Sequence, residues 1–202
     1  GTLHGPLDDL DLGGQYRLSD VTLGPLAFGA SDAAVLGRNI LGENWSLEAA
    51  VDGESLAIGD VPLGAYLLWG RTTPAEAFID SFVASRGDTL ISLKGRAQFA
   101  DGRAAVHLDD LRIDFAGNTW QSAGPIAATA AAGYLEIPAV HLESDQGVLA
   151  ADLEYAADSL LAGDIVLSEV DMGLLHPFVP EAGRVGGVIS ASARLAGTPR
   201  DP

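Results

Sequence analysis

The residue types that carry most enzyme and metal chemistry are few and scattered in this sequence. Cysteine is absent, which excludes disulfides, thiolate metal ligands and cysteine nucleophiles. The four histidines are not spaced as His-x-x-x-His or His-Glu-x-x-His, the pairs that hold zinc on one face of a helix. His107 and His141 alternate with apolar neighbours, so we interpret them as solvent-facing strand residues. We therefore expect no metal site.

Acidic residues come together at two places, the cluster Asp8, Asp9 and Asp11 and the pair Asp109-Asp110. Neither follows the Asp-x-Asp-x-Asp-Gly pattern of a calcium loop, and we interpret both as solvated turn or strand-end residues. Catalytic carboxylates that meet only in the fold stay open as an alternative. The sequence has no Gly-x-Ser-x-Gly elbow and no phosphate-binding loop. It thus predicts a protein that is not an enzyme, with no catalytic residue and no cofactor.

Composition narrows the class of protein further. Twenty-eight acidic residues against 11 basic ones give a net charge of −17, and clustered lysines and arginines are missing, so nucleic acid is excluded as a partner. A hydrophobic share of 48% with 19% charged residues is typical of a folded chain and not of a disordered one. No apolar stretch is long enough for a membrane helix. Since the chain starts at Gly1, we expect it to be a segment of a longer protein.

Alternation over Thr89–Phe115 predicts a long β-hairpin. Apolar and polar residues alternate on both sides of Asp101-Gly102, a dipeptide favoured in two-residue type I′ turns. Closing the chain on this turn puts the apolar residues of both arms on one face. After Leu108 the alternation slips by one position, which predicts a β-bulge near Asp109-Asp110.

Further strands are predicted where apolar or alternating runs lie between glycine and proline breaks. Asp52-Gly53 is interpreted as a second tight turn. The predicted strands of the first half are Tyr16–Leu23, Leu26–Ala30, Trp45–Val51 and Glu54–Ile58. Those of the second half are Tyr134–Ile137, Val140–Glu143, Val148–Tyr155, Leu160–Ser168 and Val185–Leu195.

One helix is predicted, over Pro74–Arg86. Thr73 suits the N-cap and Glu76 would complete a capping box, while Gly87 would end the helix. Apolar residues between them recur at helical spacing. A shorter helical turn is predicted around Val170–Leu175.

These elements predict a mainly β fold, a long curled antiparallel sheet with one apolar face and one capping helix over residues 74–86. Residues 1–88 would form an N-terminal β region with the helix, and residues 89–202 the main sheet segment, unless the two are one continuous domain. The apolar face could pack into an ordinary sandwich core. Alternatively, a sheet that curls without a second sheet filling it would leave an apolar trough for acyl chains.

The order of short motifs in the second half is the basis of a family resemblance. The motifs are Trp120, Gly124-Pro125, Leu167–Leu175, Pro177–Pro180 and Ala193–Pro199. In this order they resemble the recurring unit of the TamB branch of the AsmA-like family of bacterial envelope proteins. The resemblance covers residues 118–202, whereas the first half matches only through Gly-Pro-Leu elements and the predicted helix has no place in the family pattern.

The resemblance implies a β-taco, a long sheet folded like a taco shell around an apolar interior. It also implies a periplasmic segment of a protein anchored in the inner membrane of a Gram-negative bacterium. Family members are associated with phospholipid transport between the two membranes, in support of outer-membrane biogenesis, and with an outer-membrane barrel partner of the Omp85 type. No catalytic residue or cofactor comes with the family.

Our first hypothesis is therefore a bridge-like lipid-transfer segment in which inward side chains line a groove for the acyl chains of phospholipid. A module that holds β-strands of outer-membrane proteins during assembly and a dry β-sandwich of an extracellular array stay open as alternatives. The candidate groove residues are Ile91, Leu93, Ala97, Phe99, Val106, Leu108, Leu111, Ile113, Phe115, Leu135, Ile137, Leu142, Leu153, Ile165 and Leu167.

Overall fold

The computed structural model describes residues 1–6, 9–23, 26–115, 117–157, 160–172 and 186–197. Within these ranges the chain is mainly β, and every strand pair in each unit is antiparallel. The chain divides into two compact units, Gly1–Phe99 and Ala100–Pro202. The prediction of a mainly β fold is confirmed.

The first unit is built on one antiparallel sheet. Its strands are β1 (Thr2–His4), β2 (Asp11–Leu18), β3 (Val21–Leu23), β4 (Leu26–Phe28), β5 (Ser31–Arg38), β6 (Ser46–Ile58), β7 (Val61–Thr72), β8 (Glu76–Arg86) and β9 (Thr89–Ala100). The main path through the sheet runs β1-β2-β5-β6-β7-β8-β9. Strand β6 is long enough to pair with two strands on one edge, β5 along residues 46–53 and β4 along residues 56–58.

The second unit repeats this design with seven strands in the described residues. They are β10 (Arg103–Phe115), β11 (Asn118–Ser122), β12 (Ile126–Ala131), β13 (Tyr134–Ser144), β14 (Gly147–Ala156), β15 (Leu160–Asp171) and β16 (Val188–Gly197). Strands β11 and β12 share one edge of β10 and both pair with β13 on their other side. Strands β13 to β16 then follow in order.

The predicted helix over residues 74–86 is wrong, because this segment is strand β8. The Thr73 hydroxyl accepts a hydrogen bond from the Glu76 N–H, as an N-cap would, but the contact closes a tight turn between β7 and β8. Beyond the turn, β8 pairs with β7 on one edge and β9 on the other, with a register shift between Ile79 and Phe82. That shift puts Ile79 and Phe82 on one face three residues apart. Phe78 and Val83 lie on the opposite face, so apolar residues recur at helical spacing although the segment is a strand.

The predicted turn at Asp52-Gly53 is also wrong, because β6 runs straight through it. Gly53 pairs with Ser31 on one side and Tyr66 on the other. A side chain at residue 53 would collide with the Tyr66 ring, because its Cβ atom would lie only 2.5 Å from Tyr66 Cε1. The glycine therefore makes room for a neighbour and does not bend the chain.

Other strands have boundaries that differ from the predicted ones. Tyr134–Ile137 and Val140–Glu143 are one strand, β13, with a register shift at Pro138, which lacks an N–H and is tolerated at a bulge. Strands β1, β5, β7, β11 and β12 were not predicted.

The turn predicted at Asp101-Gly102 is confirmed by its backbone. Asp101 and Gly102 have φ values of 52° and 71°, and a type I′ turn requires positive φ at both central residues. The flanking strands β9 and β10 are 12 and 13 residues long. The register in which these two arms pair stays a prediction.

The predicted slip in β10 is confirmed as well. Leu108 pairs with Ile126, and Ile113 pairs with Trp120, on the same face of the sheet. Residues on one face of a regular strand are an even number of positions apart, whereas Leu108 and Ile113 are five apart. One extra residue therefore lies between them, near Asp109-Asp110.

Several predictions concern residues outside the described ranges. They include most of the helical turn around residues 170–175, the motifs at residues 177–180 and 198–199, and Asp8. Val170 and Asp171, at the start of that predicted turn, belong to β15.

Candidate functional site

The apolar face of the first sheet contains the four candidate residues of that unit. Directly paired residues point to the same side of a sheet, so the register identifies the face. Ile91 pairs with Ala84, and Leu93 pairs with Phe82. Ala97 pairs with Ala77, and Phe99 alternates onto the same side.

A small buried cluster lies on this face. It consists of Leu56, Tyr66 and Ala84, which are 2%, 5% and 1% exposed. The Tyr66 ring packs edge-on against Phe28, with ring centroids 5.6 Å apart. Its hydroxyl lies 2.6 Å from the buried Ser31 Oγ, so its polar end has a hydrogen-bond partner.

The rest of the face is only partly covered. Ile91, Leu93 and Ala97 are half-buried, and Phe99 is 44% exposed. All strands of this unit belong to one sheet, and within the described residues no second sheet of the unit packs against the face. The face is therefore a partly exposed apolar surface next to a compact cluster.

The second sheet also has an apolar face, and it contains the other eleven candidates. Its register pairs Leu135 with Tyr155, Ile137 with Leu153 and Leu142 with Leu149, so these six share a side. The same side contains Val106, Leu108, Leu111, Ile113 and Phe115 on β10, and Ile165 and Leu167 on β15.

Burial on this second face is again limited. Ile126, Leu142 and Val170 are its buried hydrophobic residues, at 6%, 8% and 8% exposure. Ile165 is 37% exposed, and the other candidates of the unit are half-buried. Leu142 is thus the one buried residue among the fifteen candidates.

Sequence reasoning missed several residues of these faces. In the first unit they are Ala33, Val35, Val51, Tyr66 and Leu68, and in the second unit Trp120, Ile126, Leu149 and Val170. Ala33 and Val35 alternate with exposed Asp32 and Ala34, which is a usable but faint signal because alanine is small.

The opposite face of each sheet bears most of the ion pairs. Arg17 Nε lies 3.0 Å from Asp32 Oδ1, and Arg194 Nε lies 2.8 Å from Asp164 Oδ1, in both cases between neighbouring strands. These pairs are exposed, and ion pairs of this kind contribute little to stability. They make these opposite faces polar.

Two hydrogen-bonded groups on the second sheet have shifted pKa values. The Thr119 hydroxyl donates to Asp114 at 2.6 Å, and this bond, followed by the bond from Arg112, lowers the pKa of Asp114. The Tyr134 hydroxyl donates to Glu136 at 2.9 Å, which raises the pKa of Tyr134. Both side chains are half-buried, and both contacts are structural.

The described residues offer no metal-binding group of three or more His, Asp or Glu side chains. His107 and His141 each face a carboxylate two residues along the same strand, Asp109 at 3.9 Å and Glu143 at 3.3 Å. These contacts lie away from the apolar face. The chemistry available at the candidate faces is therefore apolar contact.

Comparison with family models, curated proteins and solved structures finds no match to this chain. In the part of the chain that the structure describes, no helix could cross a membrane.

Proposed function

We propose that this chain carries phospholipid acyl chains on the apolar face of the sheet in each of its two units. It would act as a periplasmic segment of a bridge-like protein that moves phospholipid between the inner and outer membranes, with an Omp85-type barrel as a partner. The site assignment rests on the apolar faces, and the biological setting rests on the resemblance to the TamB branch of the AsmA-like family.

The main support is the combination of apolar character and incomplete burial. Fourteen of the fifteen candidate residues keep part of their surface accessible, although they share the apolar faces of their sheets. An acyl chain laid on such a face gains about 0.8 kcal/mol for each methylene removed from water. A dry sandwich core would instead bury most of these side chains.

The sharpest test uses two neighbouring residues of β15. Ile165 and Val166 are 37% and 41% exposed, but they point to opposite faces of the sheet. Ile165→Glu puts a charge on the apolar face, and Val166→Glu puts the same charge on the polar face. The pair separates an effect on binding from a general effect of added charge.

The chain and both variants would be purified without detergent from a bacterial host, and bound lipid measured by native mass spectrometry and solvent extraction. We expect phospholipid with the wild type and with Val166→Glu, and at least a tenfold smaller amount with Ile165→Glu. Circular dichroism would check that all three are folded. A lipid-free wild type, or equal loss in both variants, would contradict the proposal.

One observation favours the strand-holding alternative. Strand β16 is ten residues long and mostly exposed, and in the described residues it pairs only with β15. It contains no proline or lysine, two residues that often guard free edges. Pairing of this edge with an unfolded barrel strand, in preference to lipid uptake, would support an assembly module.

A further inference from the structure

The first sheet has a second apolar area on its otherwise polar face. Trp69, Leu67 and Leu36 are 58%, 50% and 42% exposed there. Trp69 pairs with Ala50, which pairs with Ala34, and Leu67 pairs with Val83. We name these six residues (Ala34, Leu36, Ala50, Leu67, Trp69 and Val83) the Trp69 patch.

Charge is distributed unevenly on the two sides of Trp69. Glu48 and Asp52 lie on β6, between the patch residues of β5 and those of β7, whereas Lys94 and Arg96 lie on the same face on β9. Among the described residues, none of these four has an oppositely charged group within ion-pair distance. The face therefore has an acidic side on β6 and a basic side on β9, with Trp69 and Leu67 on β7 between them.

Arg71 lies between the two sides, and its guanidinium already contacts other residues of the sheet. The Arg71 guanidinium lies 4.5 Å from the centre of the Phe78 ring, and its Nε is 3.9 Å from Asp80 Oδ2. The unpaired charges therefore lie on β6 and β9, on the two sides of Trp69, where a facing surface could reach them.

We infer that the Trp69 patch is the interface of a homodimer, in which it packs face to face with the same patch of a second copy. A two-fold axis parallel to β7 would place the acidic side of one sheet over the basic side of the other. Isologous contacts require this kind of self-complementary surface. The net charge of −17 opposes nonspecific association, so the pairing depends on this local arrangement. The inference does not rest on lipid binding, which uses the opposite face.

The first test is the effect of the central tryptophan on dimerisation of the whole chain. Buried tryptophans dominate many interfaces, so Trp69→Ser should raise the dimer dissociation constant at least tenfold in sedimentation equilibrium. Val61 is 60% exposed at the far end of β7, and Val61→Ser is the matched control that should leave the constant unchanged. A wild-type chain that stays monomeric, or equal dimerisation of Trp69→Ser, would overturn the inference.

The second test exchanges the charges. A chain with Lys94→Glu and Arg96→Glu has two acidic sides, and a chain with Glu48→Lys and Asp52→Lys has two basic sides. Each should be at least tenfold weaker as a homodimer, and the two mixed should form a heterodimer visible by native mass spectrometry. Strong homodimers of either variant, or no heterodimer on mixing, would contradict the proposed orientation.

Discussion

The Tyr66 hydroxyl lies 2.6 Å from Ser31 Oγ, and both side chains are buried on the apolar face of the first sheet. Ser31 Oγ also lies 2.9 Å from the Gly29 carbonyl oxygen and can donate to it. The contact joins β5 to β7 across β6, where Gly53 leaves the space that the ring occupies. Three strands are thereby held in one register.

Removing the Tyr66 hydroxyl should lower stability without altering the fold. Tyr66→Phe loses one buried hydrogen bond while Ser31 keeps its bond to Gly29, so we expect a loss of about 1 kcal/mol in the free energy of unfolding. Urea denaturation followed by circular dichroism measures it. An unchanged urea midpoint would mean that the hydrogen bond between Tyr66 and Ser31 does not contribute to stability.

Adding a methyl group at Gly53 should lower the free energy of unfolding more than removing the Tyr66 hydroxyl does. Its Cβ would lie 2.5 Å from Tyr66 Cε1 and 2.9 Å from Ser31 Oγ, so Gly53→Ala should destabilise the first unit by about 1–3 kcal/mol. In a Tyr66→Ala background the clash with the ring is gone, and the same substitution should cost less. Equal costs in both backgrounds, measured as a double-mutant cycle, would show that the ring is not the obstacle.

The sequence predicted the faces better than the elements. Period-two alternation identifies a face as soon as the register is known, so the candidate residues of β9, β10 and β13 to β15 share the apolar sides of their sheets. Strand β8 was taken for a helix because its bulge between Ile79 and Phe82 imitates helical spacing. Strand β7 was missed because Tyr66–Trp69 is apolar on both faces, which conceals the alternation.

The packing around Tyr66 could not be predicted from the sequence, because it depends on partners far apart along the chain. Ser31, Gly53 and Tyr66 become neighbours only through the pairing of β5, β6 and β7. Gly53 beside Asp52 resembles a turn signal, and only the ring beside it explains why glycine is there.

A charge at Phe99 should be tolerated by the fold. The side chain is 44% exposed near the end of β9, so Phe99→Arg should change the free energy of unfolding by less than about 1 kcal/mol. Lipid bound to the purified chain should fall, because the guanidinium would lie on the apolar face. Chemical denaturation measures the first effect and lipid extraction the second. Unfolding of the variant would instead favour the dry sandwich.

Asp114 should contribute to the acid sensitivity of the second unit. Its pKa is lowered from the usual 3.8 by the hydrogen bonds from Thr119 and Arg112, so the folded state binds a proton less readily than the unfolded state. The resulting stabilisation is present above pH 3.8 and is lost as the pH falls through the lower folded-state pKa. Asp114→Asn should therefore flatten this part of the stability curve. Thermal unfolding between pH 7 and pH 2 tests it, with Asp88→Asn in a turn of the first unit as the control.

Truncation at Leu142 should have a larger effect than truncation elsewhere on the second apolar face. Leu142 is 8% exposed and pairs with Ser122 and Leu149, so Leu142→Ala removes packed atoms and should cost about 2–4 kcal/mol. Leu195 on β16 is 38% exposed, and Leu195→Ala should cost less than about 1 kcal/mol. Urea midpoints of the two variants compare them directly. Equal costs would mean that the face is packed throughout, which would leave no surface for an acyl chain.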